Sequence, residues 1–93
     1  MDLHIKDVLQ KYIQTDQKVG DQYYSQKIRD FWKDRFADSI VQRTQEIQFS
    51  NGKLTVRIES APLRHELFIN RQKIKDQVNE YLQEQIVHLV ILK

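Results

Sequence analysis

The dipeptide Asn51-Gly52, set between two runs in which apolar and polar residues alternate, constrains this chain more than any other feature. A two-residue type I′ turn needs a positive φ at both central positions, and Asn followed by Gly meets that need, so the segment predicts a β-hairpin. The two runs also check each other. Pairing Ser50 with Lys53 sets Phe49 opposite Leu54 and Ile47 opposite Val56 on one face, with Gln48 opposite Thr55 and Glu46 opposite Arg57 on the other. One register therefore yields an apolar face and a cross-strand ion pair between Glu46 and Arg57. The apolar face, continued by Ile58, requires helices to cover it.

Helical periodicity appears on both sides of the hairpin. Upstream, Ile5, Val8, Leu9, Tyr12 and Ile13 form one stripe behind Asp2 as cap, the helix ending near Thr15 and a polar connector running from Asp16 to Gly20. A longer helix capped by Asp21 follows, with Tyr24, Ile28, Phe31, Trp32, Phe36 and Ile40 on one face and Trp32 expected to be buried against the sheet. Downstream, Ser60 and Pro62 open one helix reaching to Gln85, with Leu63, Leu67, Ile74, Val78, Tyr81 and Leu82 turned inward. Ile86 to Leu92 is rich in β-branched residues and too short for a buried helix, which makes it a third strand. Simple alternation turns Ile86, Val90 and Leu92 one way and Val87, Leu89 and Ile91 the other, and the first helix is expected to cover the second apolar face.

The order α-α-β-β-α-β defines an α+β fold. A crossover from the hairpin through the last helix to the last strand gives a two-layer sandwich, a three-stranded mixed sheet with helices on one face. Ninety-three residues suffice for one modest core, so a single domain over 1–93 is expected, with residues 1–20 as N-terminal helix and connector and 21–93 as the core. Cysteine is absent, which excludes disulfides and thiolate metal sites; with no signal-peptide pattern and no apolar run of about twenty residues, the expected setting is cytoplasmic, without membrane contact.

Residues for catalysis do not assemble in the sequence. His4, His65 and His88 lie far apart, with no pair at the i, i+4 spacing of a metal site. Ser39, Ser50 and Ser60 lack the glycine-flanked setting of a nucleophile elbow, and Asp30, Asp34 and Asp38 fall on a solvated helix face. Glycines at 20 and 52 alone make no phosphate-cradling loop. The expectation is a binding protein rather than an enzyme, with no cofactor and no metal.

Net charge is only +2, yet its distribution is uneven. The first fifty residues balance eight basic against eight acidic residues, whereas Arg57, Arg64, Arg71, Lys73 and Lys75 face only Glu59 and Glu66 in the stretch from 57 to 75. On a helical wheel Phe68 falls outside the inward stripe, with Arg64, Arg71 and Lys75 at i−4, i+3 and i+7. Cations that contact phosphates around a ring that stacks on a base suit sequence-tolerant binding of a nucleic-acid strand, with Arg57 and Lys53 as extensions of the patch. The same residues also allow Phe68 to pack beneath another element, with the cations serving solubility. A protein-only adaptor, docking through the apolar sheet face or through Phe68 and Ile69, is the rival reading.

Several segments together resemble a known family. Trp32 is followed by Ile40-Val41 and Arg43-Thr44; Asn51-Gly52-Lys53-Leu54-Thr55-Val56 closes one strand and opens the next; Ser60-Ala61-Pro62-Leu63-Arg64-His65-Glu66-Leu67 follows, and Asn79 precedes an I-V-x-x-V-I-L strand. In this order they resemble the DciA-like bacterial proteins, from Trp32 almost to the last residue. The resemblance implies a fold akin to the type II K-homology domain without its G-x-x-G loop, and a part in bringing the replicative helicase onto DNA. It makes DNA the expected partner, single-stranded or at a junction, with the helicase as a second partner; RNA follows from the fold analogy alone. The chain departs from the family's frequent glycines at Ala37 and at Gln83-Glu84-Gln85. A helicase contact made through the long flexible extension that some relatives carry is not expected of these residues.

Overall fold

The computed structural model describes residues 17–93, and the helix expected over residues 2–15 lies outside them. Its elements are α1 (Gln17–Arg35), α2 (Asp38–Gln42), β1 (Thr44–Ser50), β2 (Lys53–Ile58), α3 (Ala61–Ile69), α4 (Arg71–Leu82) and β3 (Leu89–Leu92). The strands lie in the order β1-β2-β3, with β1 and β2 antiparallel and β2 and β3 parallel, which makes the sheet mixed as the connectivity required.

The hairpin register is the one that the alternation dictates. Ser50 pairs with Lys53, Phe49 with Leu54, Gln48 with Thr55, Ile47 with Val56 and Glu46 with Arg57, and an irregularity at Gln45 then brings Thr44 opposite Ile58. Asn51 and Gly52 have φ of 51° and 79°, both positive as the turn demands. Gly52 is required twice over. A Cβ there would sit 2.7 Å from His88 Cδ2, and its carbonyl accepts the N–H groups of His88 (2.8 Å) and Leu89 (3.2 Å), so the turn also receives the incoming third strand. Glu46 and Arg57 face each other on the open side, but among the described residues the ion pair within 4 Å is Asp34–Arg35, so the expected cross-strand bridge is not formed.

Ile47, Phe49, Leu54, Val56 and Ile58 turn to the helices and join Tyr24, Ile28, Phe31, Trp32, Leu67, Ile74, Val78, Val87 and Val90 in one core. Trp32 is buried as expected, and its indole N–H donates to Thr44 Oγ1 at 2.9 Å while that hydroxyl donates to the Ile40 carbonyl at 2.8 Å, tying α1, α2 and β1 at one point.

Four local expectations are corrected. Residues 17–20, read as connector, are helical, and Asp21 lies within α1 instead of capping it. Glycine in a helix costs about 1 kcal/mol, which the packing of Tyr24 and Ile28 one and two turns later outweighs. The long helix that follows also stops at Arg35 and restarts at Asp38, with Ala37 extended between them. The last helix divides at Asn70 into α3 and α4. Finally, β3 starts at Leu89, and Val87 points into the core with Val90 rather than outward with Leu89 and Ile91. Asn79 holds it there: its amide donates to the Val87 carbonyl (3.0 Å) and its Oδ1 accepts the Val87 N–H (2.9 Å), which breaks the alternation before the strand begins.

Candidate nucleic-acid interface

The helical layer between β2 and β3 builds the surface that carries Phe68. Ser60 caps α3 by accepting the Leu63 N–H at 3.3 Å, with Pro62 in the first turn where its missing donor is harmless. At the other end Asn70 serves both helices. Its N–H reaches the Leu67 carbonyl (3.1 Å), its amide donates to the Glu66 carbonyl (3.0 Å), and its own carbonyl accepts the Ile74 N–H (3.0 Å). The division at Asn70 keeps Leu67, Ile74 and Val78 in the core and leaves Phe68 and Ile69 outside it, at 47% and 64% exposure. Phe68 therefore does not pack beneath another described element.

Arg71 lies against the ring. Its guanidinium carbon is 4.0 Å from the Phe68 centroid, and Nη1 donates to the Phe68 carbonyl at 3.0 Å, so the group is held at van der Waals distance by a bond of its own. Arg64, one turn before Phe68, donates from Nη1 to the Ile58 carbonyl at 2.9 Å, which anchors the side chain to the end of β2 while four guanidinium N–H groups stay available. Lys75 stands one turn beyond Arg71 on α4. Beside Phe68 opens a cleft of about 310 Å³ lined by Ala61, Arg64, His65, Phe68 and Leu92.

The six candidate residues thus fall into two groups. Arg64, Phe68, Arg71 and Lys75 belong to the α3–α4 layer, whereas Lys53 and Arg57 alternate with the buried Leu54, Val56 and Ile58 and so emerge on the opposite face of the sheet, which no described helix covers. Sequence reasoning missed His65 and Leu92 as neighbours of Phe68. His65 is three residues from Phe68 on the same helix and was within reach of the wheel; Leu92 arrives through the sheet, which no local pattern encodes.

Elsewhere the polar chemistry is structural. The Tyr24 hydroxyl, buried on α1, donates to the Glu84 carboxylate at 2.8 Å; burial first, and Glu84 second, raises its pKa well above the ordinary phenol value. Among the described residues no group of three His, Asp or Glu side chains could hold a metal ion, and no helix is long and apolar enough to cross a membrane.

With the mixed sheet, its helical layer and the basic-aromatic surface in place, comparison with known proteins gives one positive result. The chain matches the family described as "Dna[CI] antecedent, DciA" over residues 4–91, and it belongs to that family. No curated protein and no solved structure matches it. The family is associated with helicase loading in replication and is not known for catalysis, which makes the chain a replication accessory with the replicative helicase as the implied partner.

Proposed function

We propose that the domain assists helicase loading by binding single-stranded DNA across the α3–α4 junction. The observation that carries this reading is the exposed stack of Arg71 on Phe68. A solvated aromatic ring of this size has no role in the core. Joined to a guanidinium plane it offers two flat surfaces, one apolar and one cationic, on which successive bases stack whatever their identity. Arg64 and Lys75, one turn to either side, supply positive charge for the phosphates on both flanks. Arg64 also keeps a fixed position through its bond to Ile58, so its remaining donors reach a phosphate at reduced entropic cost.

Lys53 and Arg57 belong to the other face of the sheet and take no part in this contact. The experiment is to add an oligothymidylate to the isotopically labelled domain and follow the backbone amides. The reading expects shifts over residues 64–75 and little change at Lys53 and Arg57. Shifts confined to the open face of the sheet, or none at low salt, would refute it, and a matching oligouridylate that binds more tightly would move the assignment to RNA.

A further inference from the structure

The two outer edges of the sheet are treated differently. On β1 three outward backbone groups are occupied by α1. Ser25 Oγ accepts the Phe49 N–H at 3.1 Å and donates to the Phe49 carbonyl at 3.4 Å, and Arg29 donates to the Ile47 carbonyl at 3.2 Å. On β3 the Leu89 N–H donates to the Gly52 carbonyl (3.2 Å), and Lys93 donates to Val56 (2.9 Å) and accepts from Ile58 (2.8 Å), so residues 89, 91 and 93 turn their backbone groups to β2. By the two-residue alternation of a strand, the N–H and C=O groups of Val90 and Leu92 point away from the sheet, and among the described residues no hydrogen bond reaches them. Open edges invite pairing, and proteins normally blunt them; among the described residues β1 is blunted and β3 is not.

We propose that the free edge of β3 is a strand-addition site for an extended acidic peptide of a protein partner. Three observations select that occupant. The outward groups alternate between donors and acceptors at the repeat of about 6.6 Å that a second β-strand matches, whereas a phosphodiester backbone offers acceptors alone. Both flanks of the edge are basic: Arg64 lines the cleft beside Leu92 on the helix side, and Lys93 follows Leu92 alongside Arg57 on the open side. Glu66, the acid of α3, does not line that cleft. A second copy pairing β3 to β3 would bring these cations against their own kind, which disfavours self-association. An added strand places alternate side chains in the cleft, where an acidic group meets Arg64 and His65. The residues between them fall on the open face beside Leu89, itself 47% exposed. This site is centred on the β3 edge and meets the DNA reading at Arg64 and Phe68, which line the cleft between them.

The test uses the labelled chain and a synthetic octapeptide of alternating glutamate and valine, with the same peptide N-methylated along its backbone as control. The expected result is that the Val90 and Leu92 amides shift and exchange about tenfold more slowly with the peptide, as new hydrogen bonds form, and that the methylated peptide has no such effect. Four results would overturn the proposal: no protection at Val90 and Leu92; equal binding of the methylated peptide, which needs no backbone pairing; protection of these amides by an oligothymidylate in place of the peptide; or their protection on concentrating the protein alone, which assigns the edge to a second copy.

Discussion

Asn79 holds both backbone polar groups of Val87, donating from its amide to the carbonyl and accepting the N–H, at 3.0 and 2.9 Å. Both residues are buried, at 2% and 1% exposure, so these bonds stand where no solvent could replace them. They fix the turn that delivers the chain from α4 to β3. Asn79 also accepts the Glu84 N–H on its carbonyl at 3.1 Å, while Gln83 donates to Glu80 at 3.1 Å, the pairing of a Schellman ending.

Replacing Asn79 by Ala strands two buried backbone groups, each worth roughly 1–3 kcal/mol when left unpaired. Asn79→Ala should lower the urea midpoint accordingly and free the Val87 amide to exchange. Asn79→Asp should be as harmful at neutral pH, since a carboxylate would then face the Val87 carbonyl. If the Val87 amide of either variant exchanges as slowly as in the wild type, the bond does not have this role.

The hairpin was readable from sequence because every determinant is local: an Asn-Gly turn and an alternation that admits one register. The division of the last helix was not, since Leu67, Ile74 and Val78 form a continuous stripe through Asn70, and the break arises from hydrogen bonds that Asn70 makes in both directions. The inward turn of Val87 was equally hidden, because it depends on a side chain eight residues earlier in the chain. For the site, helical spacing placed Phe68 outside the inward stripe among cations but left its exposure open, and its contact with Arg71 crosses the helix break at Asn70 that no local pattern encodes. The placement of Arg57 was encoded in the hairpin register itself, which already set it on the face opposite the helices.

Gln83 ends α4 with φ of 57°, a conformation in which a side chain is strained and glycine is not. Gln83→Gly should therefore raise stability by about 0.5–1 kcal/mol, and Gln83→Val should lower it, because a β-branched residue resists that backbone most. Thermal denaturation decides between them: a Val variant at least as stable as Gly would contradict the left-handed cap.

Gly52→Ala combines a strained positive φ with a contact of 2.7 Å to the His88 ring. We expect a loss of about 2 kcal/mol, of which the steric part, on the order of 1 kcal/mol, returns when His88→Ala is added. Strict additivity of the two changes would show that the ring is not the obstacle.

Tyr24 gives the fold an alkaline limit. Its folded pKa lies above the unfolded value near 10, so its contribution is complete below that pH and is lost as pH rises toward the folded value. In an absorbance titration Tyr24 should remain un-ionised until the protein unfolds at high pH, and Tyr24→Phe should abolish that late step. A wild-type protein in which all tyrosines ionise together near pH 10 while still folded would show that neither burial nor Glu84 shifts the group.

The claim that the α3–α4 junction binds single-stranded DNA is tested most directly by measuring affinity for a fluorescent oligothymidylate across salt concentrations in three proteins: wild type, Arg64→Ala/Lys75→Ala and Phe68→Ala. Each phosphate contact contributes about −0.7 to the slope of log affinity against log salt, so the double charge removal should flatten the slope by about 1.4. Phe68→Ala should lose roughly 1–3 kcal/mol of binding, the worth of a stacked base, at nearly unchanged slope. Wild-type binding with no salt dependence, or equal slopes and affinities in all three proteins, would contradict the account.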